Sequence, residues 1–130
     1  MKKDIENRAD IELLVTTFYD VVVTDPVIGK IFTDIAAVNW EAHLPVMFDF
    51  WENMLFYTGK YNGNPMKVHQ ALNKRIHLEK AHFDQWIAIF TSVVDTLFDG
   101  EKAILAKQRA ISISTIIQLR LLQDQSGSRL

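Results

Sequence analysis

The stretch NPMKVHQALN, residues 64–73, constrains the chain most. Asn64 is a strong N-cap, because its side-chain oxygen can accept from the orphan amides of a first helical turn. Pro65 then takes the first helical position, where its missing N–H costs nothing and its fixed φ suits the helix. Asn73 is the expected stop. Gly59, Asn62 and Gly63 make the preceding segment a loop. A helix this short does not stand alone in water, since nucleation costs more than so few hydrogen bonds return. The fold must therefore hold it from outside, and its single histidine, His69, is held with it.

The remainder reads as longer helices. Asp10 is the expected cap of a helix reaching about Thr24, with Ile11, Leu14, Val15, Phe18 and Val22 in one buried stripe and Tyr19 at its edge. Residues 1–9 are polar and expected to be frayed or loosely helical. Asp25-Pro26 starts a short helix over 26–32, and 33–38 reads as a loop. After Asn39, the residues Trp40, His43, Leu44, Met47, Phe48, Trp51 and Leu55 share a face. Pro45 predicts either a kink near Ala42 or a helix that starts at Pro45 itself. A wide apolar stripe runs from Glu79 to Phe98, although His77-Leu78-Glu79 offers no good N-cap. The last helix spans about Glu101 to Leu122. Its ridge of Ala103, Ala106, Ala110, Ile113, Ile117 and Leu121 allows close approach to the 79–98 helix. The tail, 123–130, is polar and expected to be flexible. The pattern predicts one all-α domain over 1–130 with five or six helices, and uneven lengths argue against a plain up-and-down bundle.

Composition removes several classes of function. The chain has no cysteine, which excludes disulfides, thiolate metal ligands, iron–sulfur clusters and covalent cofactor attachment through C-x-x-C-H. That usage fits a reducing cytoplasm. The net charge of −2 and the lack of a basic stripe along a helix argue against nucleic acid and acidic membranes as partners. No apolar run follows the two N-terminal lysines, so a signal peptide is not expected, and no segment suits a membrane span. Eight Phe, three Trp and three Tyr cluster between Phe18 and Phe98. They are either a ring-rich core or the walls of a site for a flat apolar ligand.

The four histidines, His43, His69, His77 and His82, decide which chemistry fits. No pair has i, i+4 spacing, so a zinc site has weak support. Without cysteine, and with serines confined to late segments, a nucleophilic triad has weak support too. A haem site needs one neutral imidazole, apolar walls on both faces of the ring and few polar groups opposite the imidazole. His69 offers the imidazole. Phe18, Phe32, Met47, Phe48, Trp51, Phe90 and Val94 offer walls, and Tyr19, His43 and Trp86 are polar-tipped side chains on three segments. The competing reading is a cofactor-free helical binding module, with His69 on its surface and the rings as plain core.

FYD at 18–20, IF at 31–32, WEAHLPVMFDFW at 40–51, YNGNPMKVH at 61–69 and HFDQWIAIF at 82–90 occur in an order and spacing that resemble the truncated haemoglobins, specifically their third group. The resemblance covers about residues 10–120, and the glycine pairs of the first two groups are absent. It implies a truncated globin fold, a shortened helical sandwich around non-covalent haem b. It implies His69 as the proximal iron ligand, with Tyr19, His43 and Trp86 as the polar distal set and Phe18 as an apolar neighbour. Phe32 is implied as the ring packed on the haem, with Met47 one turn after His43. The expected partners are O2, NO and CO, with an electron donor that the sequence does not identify, and the expected state is a cytoplasmic monomer. NO oxidation and peroxide chemistry are the reactions such a pocket suits. Lys60, Lys67, Arg75 and His77 flank the site as candidate partners for the haem carboxylates, each more simply read as a solvated surface group.

Overall fold

A computed structural model of the chain describes residues 1–127, without the side chains of 125–127. Five α-helices follow one another: α1 Arg8–Val22, α2 Trp40–Phe56, α3 Pro65–Arg75, α4 Lys80–Leu97 and α5 Glu101–Gly127. Among the described residues there is no β-strand, and no helix is long and apolar enough to cross a membrane. The chain is all-α, as its periodicity implied. α1 packs on α2 and α4, α5 lies along α4 and also touches α2, and α3 rests on α5. The alanine ridge performs as expected: Ala103, Ala106 and Ala110 are buried against the core that includes Phe90 and Val94.

Local chemistry explains the helix ends, with several corrections. Asn7, not Asp10, caps α1, accepting from the Asp10 N–H at 3.0 Å. Asp10 is buried instead, and its carboxylate accepts from the Glu6 N–H and pairs with Lys3. Asp25 does accept from the N–H groups of Val27 and Ile28. The helix expected over 26–32 nevertheless gives way to a π-helical turn at Ile31–Ile35, closed by Ala36 N–H to Ile31 O at 2.7 Å. That turn takes in residues 33–35, the first half of the expected 33–38 loop. α2 starts at Trp40 behind the Asn39 cap and carries Pro45 in its interior. α3 starts as expected, with Asn64 accepting from the Lys67 N–H at 3.1 Å and Pro65 in the first turn. It passes Asn73, whose side chain accepts from the Leu78 N–H and so closes the connector to α4. His82 completes the start of α4, its Nδ1 accepting from the Glu79 N–H at 2.9 Å.

The N-terminal segment, expected to be frayed, is fastened down. Ile5 is buried in the core. The Asp4 carboxylate accepts from the N–H groups of Lys102 and Ala103, both at 2.9 Å, and thereby caps α5. Asp99 N–H donates to the Lys3 carbonyl. Gly100 sits at φ +146°, and a Cβ there would land on the Asp4 side chain. At the other end, α5 continues five residues past the expected stop at Leu122, so 123–127 are helical. Residues 128–130 of the expected flexible tail lie outside the described residues.

Candidate functional site

A cavity of about 590 Å3 opens between α2, α3, α4 and α5, and its lining is mainly apolar. The size lies within the usual range of cofactor and ligand sites, roughly 300–1,000 Å3. His69 lines it from α3. His69 Nδ1 is 2.7 Å from the Pro65 carbonyl oxygen. A carbonyl only accepts, so Nδ1 carries the hydrogen and the lone pair resides on Nε2. Burial lowers the His69 pKa, outweighing the Pro65 carbonyl, which raises it. The ring is therefore held neutral, in one tautomer, as a metal ligand requires. Among the described residues no three His, Asp or Glu side chains gather to hold a metal by themselves. His43 and His82 also line the cavity, but His69 alone leaves an Nε2 lone pair with no partner among the described residues, and one such imidazole on an apolar cavity fits a metal whose other ligands come from a flat ring.

The polar-tipped side chains gather on the same cavity. Tyr19 of α1, His43 of α2 and Trp86 of α4 all line it. The Tyr19 hydroxyl and His43 Nε2 are 3.2 Å apart. Burial pushes the Tyr19 phenol far up, so it stays a hydroxyl, and burial lowers the His43 pKa. Trp40 meets both rings, at 5.1 Å from Tyr19 and 5.7 Å from His43. Phe32 lines the cavity and packs on Trp40 and Tyr19.

The expected walls divide into two layers. Met47 and Trp51 line the cavity with Phe32, whereas Phe18, Phe48, Phe90 and Val94 do not. Phe90 is fully buried between two lining indoles, stacked 4.6 Å from Trp51 and 5.6 Å from Trp86. Phe18 meets Tyr19, Trp86 and Phe90 edge-on. These two rings fix the orientation of the side chains that face the cavity. Phe48 turns the other way, under the Arg8 guanidinium at 5.6 Å. Phe50 takes the place expected of it. Lys60, Lys67, Arg75 and His77 are not among the lining residues, and Lys60 pairs with Glu52 at 2.9 Å.

No protein-family model matches the chain. It is 29% identical over 121 residues to a curated group 3 truncated haemoglobin of Campylobacter jejuni, covering 91% of this chain and 93% of that one. The crystal structure of a group III truncated haemoglobin from Campylobacter jejuni superposes with a TM-score of 0.80 over 93% of this chain and 95% of that one, at 29% identity. The chain is similar to a group III truncated haemoglobin along nearly its whole length. Its resemblance to that group, first visible in five short stretches, thus extends to the whole helical frame.

Within this truncated-haemoglobin frame, several lining residues were not anticipated. Val68 and Leu72 flank His69 on α3, and Phe83 of α4 lies 6.4 Å from the His69 ring. Helical spacing from His69, three residues on, was a usable signal for Leu72. Ser114, almost fully buried on α5, also lines the cavity and accepts from Gln118 Nε2 at 3.1 Å. Tyr61 lines it from the loop and packs on Phe50 at 5.0 Å. Its hydroxyl rests against Gly63, where a Cβ would collide with it, and this gives the glycine of the YNGNP stretch a physical reason.

Proposed function

We propose that the chain is a haem-binding globin that holds non-covalent haem b through His69 Nε2 and binds small diatomic ligands. One observation carries the reading: a neutral His69, its tautomer fixed by the Pro65 carbonyl, lines the same apolar cavity as the Tyr19–His43 hydrogen bond. When bound, the haem supplies an iron to which O2, NO or CO coordinates. The chain supplies the rest. His69 fixes the ring in place, and Phe32, Met47 and Trp51 cover it and exclude water. The Tyr19 hydroxyl and the Trp86 indole N–H are donors toward a ligand that carries partial negative charge. In a dry pocket such donors act more strongly than water does. Each is worth about 1 kcal/mol net and more toward charge, enough for two of them to slow O2 release by roughly one to two orders of magnitude. A ligand held and polarised in this way suits reaction more than transport, and NO oxidation or peroxide-type redox chemistry is the role we assign. The cysteine-free composition fits work in the cytoplasm.

The deciding experiment is the visible spectrum of the purified protein, reduced with dithionite, before and after CO. A sharp Soret band that shifts with CO is expected. His69→Ala should lose most of the haem, while His77→Ala and His82→Ala keep it. Equal haem retention in the three variants refutes His69 as the ligand. A colourless protein that takes up no added haemin leaves the cofactor-free helical module as the reading.

A further inference from the structure

We infer that the outward face of α3 is the docking surface for an acidic one-electron donor protein, a deduction that rests on the haem reading above. Residues 57–78 carry Lys60, Lys67, Lys74 and Arg75 and not one carboxylate, whereas the rest of the chain carries ten Lys and Arg against sixteen Asp and Glu. Lys60 is taken up by Glu52. Lys67, Lys74 and Arg75 are exposed, and among the described residues none of the three forms an ion pair. Lys67 and Lys74 are seven residues apart and share one face of α3, Arg75 lies a quarter-turn round, and Gln70 between the lysines donates to the Asp124 carboxylate of α5, so three cations outnumber the carboxylate held there. The other face presents Val68, His69 and Leu72 to the cavity.

Helix electrostatics explains only part of this ridge. Lys74 and Arg75 lie in the last turn, where cations complement the helix dipole. Lys67 lies in the first turn, where a cation opposes the dipole and where α3 has no acidic residue. Its charge is therefore not there for the helix. The patch is one helix long, about 16 Å for eleven residues, in a chain that is otherwise acidic. A long polyanion or an anionic bilayer would meet the negative remainder. A small protein with an acidic rim around its redox centre meets the patch alone. Such a partner stands about one helix diameter from the cavity, roughly 10–12 Å, with His69 between. On docking, haem held by His69 would accept one electron from the partner's reduced iron–sulfur or flavin centre, which would be oxidised by one electron, with no atom transferred.

The test titrates the haem-loaded, CO-bound, isotope-labelled chain with a plant-type [2Fe–2S] ferredoxin as the acidic probe. Amide shifts should concentrate on α3 and the loop before it. Affinity should fall about tenfold or more between about 50 and about 200 mM salt, because exposed charges are screened within a Debye length. The Lys67→Glu/Lys74→Glu variant should bind about tenfold more weakly or worse, while Lys30→Glu, an exposed cation outside the patch, stays within about twofold. The Soret band and CO spectrum of each variant should be unchanged. No binding at low salt, or an equal loss in Lys30→Glu, overturns the inference. A chain without a Soret band refutes the haem reading instead, a result that the spectrum reports separately from the titration.

Discussion

The Tyr19 hydroxyl lies 3.2 Å from His43 Nε2, so the two side chains share one hydrogen atom's worth of donation. If the phenol donates to the imidazole, it cannot at the same time donate to a ligand. Removing either partner therefore has a defined sign. Tyr19→Phe keeps the ring that packs against Phe18, Phe32 and Trp40 and loses only the donor. Bound O2 competes with His43 for the phenolic hydrogen, so the O2 dissociation rate at neutral pH, measured by displacement with CO, should rise by up to about tenfold, the value of one hydrogen bond toward partial charge less what is given up at His43.

Trp86→Phe should raise the same rate by a similar factor, since the indole N–H is the second donor lining the cavity. The phenyl ring retains part of the stack on Phe90, so the fold should survive. Unchanged rates in both variants would mean that neither donor reaches the ligand.

His43 gives the pocket a pH dependence. Burial lowers its pKa, so the folded chain takes up this proton at lower pH than the unfolded chain does. Stability should therefore fall as pH drops through the ordinary histidine value, about 6.5. Once protonated, both ring nitrogens are donors and Nε2–H must point at the Tyr19 oxygen. The phenolic hydrogen is then released toward the cavity. O2 release should slow below the ordinary histidine range in the parent protein, and this pH effect should vanish in Tyr19→Phe and in His43→Leu.

Asp4→Ala should destabilise the protein by about 1–2 kcal/mol, the usual cost of losing a helix N-cap. Burial raises the Asp4 pKa, but the N–H groups of Lys102, Ala103 and Ile5 and the nearby Lys102 charge outweigh burial and hold it below the carboxylate range. The folded pKa is depressed, so this contribution is present above about 3.8 and is lost as pH falls through the folded value. Urea unfolding of the parent and of Asp4→Asn should differ at pH 7 and converge in acid. Gly100→Ala should cost at least as much, because φ is +146° and the added Cβ meets Asp4.

Where the sequence reading succeeded, the signal was local. Asn64-Pro65 determines the start of α3 through a cap and a fixed φ, both contained in two residues. The alanine ridge of α5 is legible because small residues at helical spacing have one packing consequence. Where it failed, the cause was distant or degenerate. Asn7 and Asp10 are both good caps, and only the buried partners of Asp10 decide between them. α2 is apolar over so wide an arc that periodicity cannot say whether Phe48 or Phe50 faces the cavity; the Arg8 guanidinium decides it. The π-helical turn at Ile31–Ile35 has no composition of its own. His82 as the acceptor at the start of α4 escaped notice because a histidine is not an ordinary capping residue.

The fastening of Asp4 to the amides of Lys102 and Ala103 joins positions nearly a hundred residues apart in the chain. Contacts of such separation close only after the intervening chain has collapsed. Asp4 is therefore expected to be among the last contacts made, absent from the folding transition state, with φ near zero. Its removal should leave the refolding rate nearly unchanged and accelerate unfolding. The residues around Asp4 would then be the last to find their place, and the lifetime of the folded molecule, more than its speed of formation, would rest on them.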